Sequence, residues 1–243
     1  MPKPLFVAVA AVFVLSACAV PPTPEPLPTE TPTAVPTATP SPSPTPDPLL
    51  FKDDFEGSLA EGWNWVREDS KRWSLTNNPG WLEIMAGGGN INGGTMKNLL
   101  LRQAPEGDFQ LETRLKFKPE GNFQIAGLLV YESDGHYVLF GRAFCGNPNC
   151  AGNGFYMDLL SGGKLTGGNF ATKAPDVDTV YLRLVREGNT FNGLISEDAK
   201  QWTLIGAHID ALTPLFVGIA AGQAAGTVPK PAQFDYYTIS RLP

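Results

Sequence analysis

Apolar and polar residues alternate without a break through "FQLETRLKFKP". Phe109, Leu111, Thr113, Leu115 and Phe117 fall on one face, and Gln110, Glu112, Arg114, Lys116 and Lys118 on the other. A period of two is that of a β-strand with one wet face. "IAGLLVYES" and "HYVLFGRAF" predict two neighbouring strands joined at Ser133-Asp134-Gly135. "VYLRLVREGNTFNGLIS" predicts a hairpin turning at Glu187-Gly188-Asn189. "NGFYMDLL", "WTLIG", "LFVGIAAG" and "FDYYTIS" continue the series. Beyond the extreme N-terminus no window keeps an apolar 3.6-residue period for three turns. Short strands with glycine-rich turns predict an all-β domain, a sandwich or jelly roll of two antiparallel sheets.

The N-terminal pattern differs. Lys3 precedes an uncharged apolar run from Leu5 to Val14, shorter than the ~20 residues needed to span a bilayer, so a cleaved signal is expected. Leu15-Ser16-Ala17-Cys18 resembles the lipobox of bacterial lipoproteins. The resemblance implies that Cys18 carries the lipid that anchors the mature chain; two or more acyl chains suffice for stable anchoring. Residues 1–18 are the expected lipoprotein signal, and residues 19–49 a disordered Pro/Thr/Ser-rich linker. That composition cannot bury a core. In polyproline II, at ~3.1 Å per residue, it would reach up to roughly 80–90 Å. Residues 50–243 remain for one domain with a substantial core.

A formal net charge of −6 gives no footing for phosphate backbones, so nucleic acid is not an expected partner. Cys145-Gly-Asn-Pro-Asn-Cys150 is a short loop, and the signal implies a compartment outside the cytoplasm, where thiols oxidise. A Cys145–Cys150 disulfide is expected, with free buried cysteines as the alternative.

"DDFEGSLAEGWNWVREDSKRWSLTNNPGWLEI", "APEGDFQLETRLKF", "FQIAGLLVYESDGHYV", "LRLVREGNTFNGLISEDAKQWTLIG" and the closing "FDYYTI" resemble the concanavalin A-like domain at the C-terminus of bacterial β-xylosidases. The likeness runs from Leu50 to the C-terminus and implies a jelly-roll sandwich. It is far less specific for activity, because this fold hosts lectins, glycanases and spacer modules alike. In this class a structural cation commonly sits where the first and last strands lie side by side. Matching motif to motif, the resemblance implies calcium held by Asp54, with Asp53 as its neighbour, and by Asp235; the alternative is two solvated aspartates. Hard oxygen ligands suit calcium.

Glycoside hydrolysis needs two carboxyl groups across a sugar bond. Catalytic members of the class carry paired glutamates flanking an aspartate, a motif this sequence lacks; Glu83, Glu112 and Glu132 each stand alone. The β-xylosidases keep their catalytic carboxylates in a separate propeller, so the expectation is a non-enzyme. His136 and His208 have no partner at ligand or triad spacing, and "AGGGNINGG" and "SGGKLTGG" fit tight turns better than a phosphate loop. Trp63, Trp65, Trp73 and Trp81 are expected to pack rather than to stack on sugars. The expected ligand-binding set is Arg142, Asn153, Tyr156 and Asp158, an arginine, an amide, an aromatic and an acid near the disulfide loop; a salt-bridged sheet face is the alternative. The leading expectation is a lipid-anchored, extracytoplasmic module of the bacterial envelope that binds polysaccharide without cleaving it. A structural or protein-interaction module of an envelope assembly is the second, and a glycoside hydrolase the third.

Overall fold

A computed structural model describes residues 48–222, 226 and 228–242; the signal, Cys18 and nearly all of the expected linker lie outside the described residues. The first strands in chain order are β1 (Leu49–Asp53), β2 (Asn64–Val66), β3 (Trp73–Ser74), β4 (Leu82–Ala86) and β5 (Leu99–Gln103). Then come β6 (Phe109–Lys116), β7 (Ile125–Ser133), β8 (His136–Cys145), β9 (Gly152–Ser161) and β10 (Lys164–Lys173). The series closes with β11 (Thr179–Glu187), β12 (Thr190–Ser196), β13 (Thr203–Ile209), β14 (Phe216–Gly222) and β15 (Lys230–Arg241).

The strands form two antiparallel sheets. The first runs β13-β12-β11-β6-β15-β4-β3, with β1 also on β15, and the second runs β10-β9-β8-β7-β14-β5-β2. The expected all-β sandwich is the observed architecture. The predicted turns are where the sequence puts them. Ser133 pairs with His136 around Asp134-Gly135, and Glu187 pairs with Thr190 around Gly188-Asn189. Ser161 pairs with Lys164 around Gly162 and Gly163, both at positive φ, the conformation a two-residue hairpin turn demands.

Strand β6 buries Phe109, Leu111, Thr113 and Leu115 and leaves the alternate residues toward solvent, as its pattern requires. The inter-sheet core is built from that row with Leu182, Leu184, Phe234 and Ile239, facing Leu128, Phe140, Phe155, Met157 and Ile219 of the second sheet. At ~25 cal/mol per Å² of buried apolar surface, this layer supplies most of the drive to fold. The second sheet also buries its outer face: Leu99, Leu101, Ile125, Leu129, Leu139 and Tyr156 join a second cluster with Ile91 and Met96. This double burial explains the near-continuous apolar runs of β7 and β8. Gly127 and Gly141 stand opposite each other in that sheet. A Cβ on either would lie 2.1 Å from a neighbouring carbonyl oxygen, so no other residue fits there.

Candidate functional site

The outer face of the second sheet is roofed at one end by residues 87–98. Ile91 and Met96 of this loop are fully buried against the sheet. Arg67 fastens it: Nε donates to the Met96 carbonyl at 2.7 Å while the guanidinium grips Asp134 at 2.9 and 3.1 Å. "AGGGNINGG" is therefore more than a loop tip, since it covers part of the core.

The other end of the face is open and shaped by two pinned turns. Cys145 and Cys150 form the expected disulfide, Cα to Cα 5.6 Å, and it closes the loop between β8 and β9. Beside it, residues 117–124 are built around Gln124, itself 1 % exposed. Its Oε1 accepts from the backbone N–H groups of Glu120 and Gly121 at 2.9 and 3.0 Å, and its Nε2 donates to the Val228 carbonyl at 2.8 Å. The two turns are joined: Phe123 N–H donates to Phe144 O at 2.7 Å, and Gly146 N–H to Asn122 Oδ1 at 2.5 Å. Between these bonds Phe123 takes left-handed backbone, φ 65°, with its side chain about half exposed.

Between these turns lies a small cleft of about 50 Å³, walled by Phe123, Ile125, Ala143, Phe144, Cys145 and Tyr156, with Asp158. It has room for a few water-sized groups, not for a whole pyranose ring. Asp158 is its only charged lining group. Burial pushes its carboxyl up to about 6, because an ionised group loses solvation among apolar walls. Among the described residues no hydrogen-bond donor reaches the Asp158 carboxylate. Tyr156 is nearly buried and its hydroxyl donates to Gly152 O at 2.8 Å; burial raises its phenol as well. It is a wall of the cleft.

The four residues of the expected ligand set are divided between two faces. Register pairs Arg142 with Phe155 and Gly141 with Tyr156, so Arg142 points with Phe155 between the sheets, while Tyr156 and Asp158 point outward. Arg142 is 2 % exposed. Its Nε donates to Asn153 Oδ1 at 3.2 Å and its Nη1 to the Val177 carbonyl. Burial lowers its pKa, opposed by the charges of Asp176 and Asp178. Arg142 and Asn153 thus form an internal clamp, so the four residues expected to gather as one ligand set lie on opposite faces of the sheet. Phe123 escaped sequence reasoning altogether, since nothing local marks its backbone conformation or its exposure.

The salt-bridged face is instead the outer side of the first sheet. Strand β15 bulges between Phe234 and Tyr237, which turns both Asp235 and Tyr236 outward. Asp235 meets Arg114 at 3.0 Å, and Tyr236 donates to Glu112 at 2.6 Å. Glu112 also binds Arg183 at 2.7 Å, whose guanidinium lies 3.7 Å from the Trp202 ring centre, a cation–π contact. Burial and the Glu112 carboxylate push the Tyr236 phenol up. Glu83 is held by Asn77 and Gln233. His136 bridges Glu132 (3.1 Å) and Asp210 (2.6 Å), a carboxylate partnership that spacing did not reveal for Asp210.

The first and last strands do lie side by side, with Asp53 opposite Tyr237. The aspartates there do not fit the expected calcium clamp. Asp54 pairs with Lys52 at 2.8 Å and Asp235 with Arg114, so a cation would have to displace another cation from each. Asp53 is the buried one, and its oxygens accept from Phe55 N–H (2.8 Å), Ala60 N–H (2.9 Å) and Trp63 Nε1–H (2.8 Å). Among the described residues no three His, Cys, Asp or Glu side chains are grouped to hold a metal ion. The tryptophans pack: Trp63 on Phe51 and Tyr237, and Trp65 on Trp73 at 4.8 Å.

Comparison with known proteins agrees with this architecture. The family described as the β-xylosidase C-terminal concanavalin A-like domain matches residues 52–240. The crystal structure of the GH43 protein BlXynB from Bacillus licheniformis superposes with a TM-score of 0.70 at 20 % identity, covering 79 % of this chain and 39 % of that one. A xylan β-1,4-xylosidase from Bacillus halodurans C-125 gives 0.67 at 23 % identity, covering 78 % and 39 %. A functionally unknown protein from Saccharomyces cerevisiae gives 0.56 at 14 % identity, covering 75 % of this chain but 97 % of its own. Among curated proteins there is no significant match. The chain thus corresponds to about two-fifths of the length of these two Bacillus proteins, and at these identities the likeness is one of fold. By the match over residues 52–240, the chain belongs to the family of β-xylosidase C-terminal concanavalin A-like domains.

Proposed function

We propose that this domain is a non-catalytic carbohydrate-recognition module, held at the bacterial surface by a lipid on Cys18 and set off from it by the proline-rich linker that precedes β1. The observation that carries the reading is Asp158, a carboxylate in an apolar cleft that no side-chain or backbone donor among the described residues reaches. A half-buried acid among apolar walls loses solvation without recompense, and such groups cluster where a ligand supplies the missing partner. Sugar hydroxyls are donors of the right kind, and an exposed aromatic at the rim is the usual companion. The xylosidase named among the structural neighbours supports xylan-type chains as the first ligands to try. Binding would be weak, because each hydroxyl exchanged from water to protein gains only about 0.5–1.5 kcal/mol; many copies on one surface would add avidity.

The test is calorimetric titration of the full chain with xylo- and cello-oligosaccharides. Dissociation constants of about 1 μM to 1 mM support the reading, and no heat from any oligosaccharide, neutral or acidic, with a folded protein contradicts it. The interaction-module reading draws on a different feature: the free edge strand β13 exposes Leu204 and Ile209, the latter by 79 %. The anchor has its own test, since Cys18→Ser should move the protein from the membrane fraction to the soluble one.

A further inference from the structure

We infer that the cleft between Phe123 and Asp158 receives a neutral vicinal diol of a glycan, with the sugar ring lying on Phe123, and that it rejects uronate-bearing chains. This rests on the recognition reading above and names its ligand class. The cleft is too small for a ring, yet it opens beside a side chain that is 53 % exposed. A ring must therefore stay outside, on the aromatic face, and send substituents inward. What it sends must donate, because a carboxylate only accepts, and two adjacent hydroxyls match its two oxygens.

Competing ligands fit less well. A protonated amine brings three N–H donors to a cleft whose only polar side chains are that one carboxylate and the committed Tyr156 hydroxyl, a poorer match than two hydroxyls to its two oxygens. A uronate brings a second negative charge beside the first, in surroundings where water screens poorly. The rim is fixed in advance: the disulfide holds one wall, and the Gln124 and Asn122 hydrogen bonds hold Phe123. A strained aromatic with little burial to offset its cost points to use at a surface.

The test is titration of the full chain and two variants with xylohexaose, cellohexaose and hexagalacturonate. A neutral hexasaccharide should bind at least about tenfold more tightly than hexagalacturonate. Asp158→Asn, which keeps shape and removes charge, should weaken neutral binding by about tenfold or more. Phe123→Ala should weaken it about three- to tenfold. Equal or tighter binding of hexagalacturonate, or neutral binding untouched in both variants, overturns this inference and leaves glycan recognition standing at another site. Failure of the parent chain to bind any of the three overturns the recognition reading and this inference with it.

Discussion

Phe55 and Phe123 share a left-handed backbone, φ 55° and 65°, yet Phe55 is fully buried and Phe123 is 53 % exposed. For a bulky L-residue that conformation costs roughly 1–2 kcal/mol. Phe55 recovers the cost by filling the inter-sheet core, and Asp53 fixes its N–H. Phe123 recovers little. Phe123→Gly should therefore leave stability unchanged or raise it by up to about 1 kcal/mol, while neutral-glycan binding falls. Phe55→Gly should cost about 3–5 kcal/mol, because it empties the core. Paired denaturation curves check both.

Arg142 separates a structural role from a binding role. Removing its side chain strands the Val177 carbonyl and the Asn153 amide at the end of the sandwich. Arg142→Ala should destabilise by about 2–4 kcal/mol, and well below its melting temperature it should bind glycan like the parent. Lost affinity in a fully folded variant would return Arg142 to the ligand set.

Asp158 makes stability depend on pH in an uncommon direction for an acid. Its carboxyl is raised in the fold from 3.8 to about 6, so between those values the folded chain binds more protons than the unfolded one. Stability from this group is greatest below pH 4 and is lost as pH rises through 6. Asp158→Asn should thus stabilise at pH 7.5, by up to about 2–3 kcal/mol, with the gain vanishing toward pH 4. Glycan hydroxyls donate to the ionised form, so affinity should move oppositely, falling as pH drops below 6. The titratable neighbour that could modify this is Tyr156, two residues away on the same strand. Melting curves and titrations at pH 4.5, 6 and 7.5 check the sign.

How much of this was legible in the sequence depended on whether the decisive relationship was local. Alternation along "FQLETRLKFKP" gave β6 its buried face, and Asp134-Gly135 gave the β7–β8 turn, because both signals lie within a few residues. The division of Tyr156 and Asp158 from Phe155 and Met157 was likewise readable along one strand. Which of those faces Arg142 shares depends on the pairing of Gly141 with Tyr156, and register across strands has no signature inside either. Strand β10 was hidden by the glycines of "KLTGGNFATK", and the roof at residues 87–98 shows only Ile91 and Met96 as isolated apolar residues. Phe123 was out of reach for the same reason: Gln124 and the disulfide loop make its conformation together.

Calcium gives a further discriminating result. With Lys52 and Arg114 already on Asp54 and Asp235, the melting temperature should be the same in calcium and in chelator. The aspartate that matters is Asp53, and Asp53→Ala should cost about 2–4 kcal/mol by leaving its donors unpaired. A melting temperature that climbs with free calcium as a binding isotherm would mean that those ion pairs open to admit the metal.

The most direct test of the account is a nuclear magnetic resonance titration of the full chain with xylohexaose, or cellohexaose if that binds more tightly. The predicted result is that amide and side-chain shifts concentrate at Phe123, Ala143, Phe144, Tyr156 and Asp158, with the Asp158 carboxyl carbon moving toward its ionised position at pH 6. Shifts centred on Tyr181 and on Trp81 and Trp202, which flank β4 and β13 of the other sheet, with Phe123 and Asp158 unmoved, would contradict it.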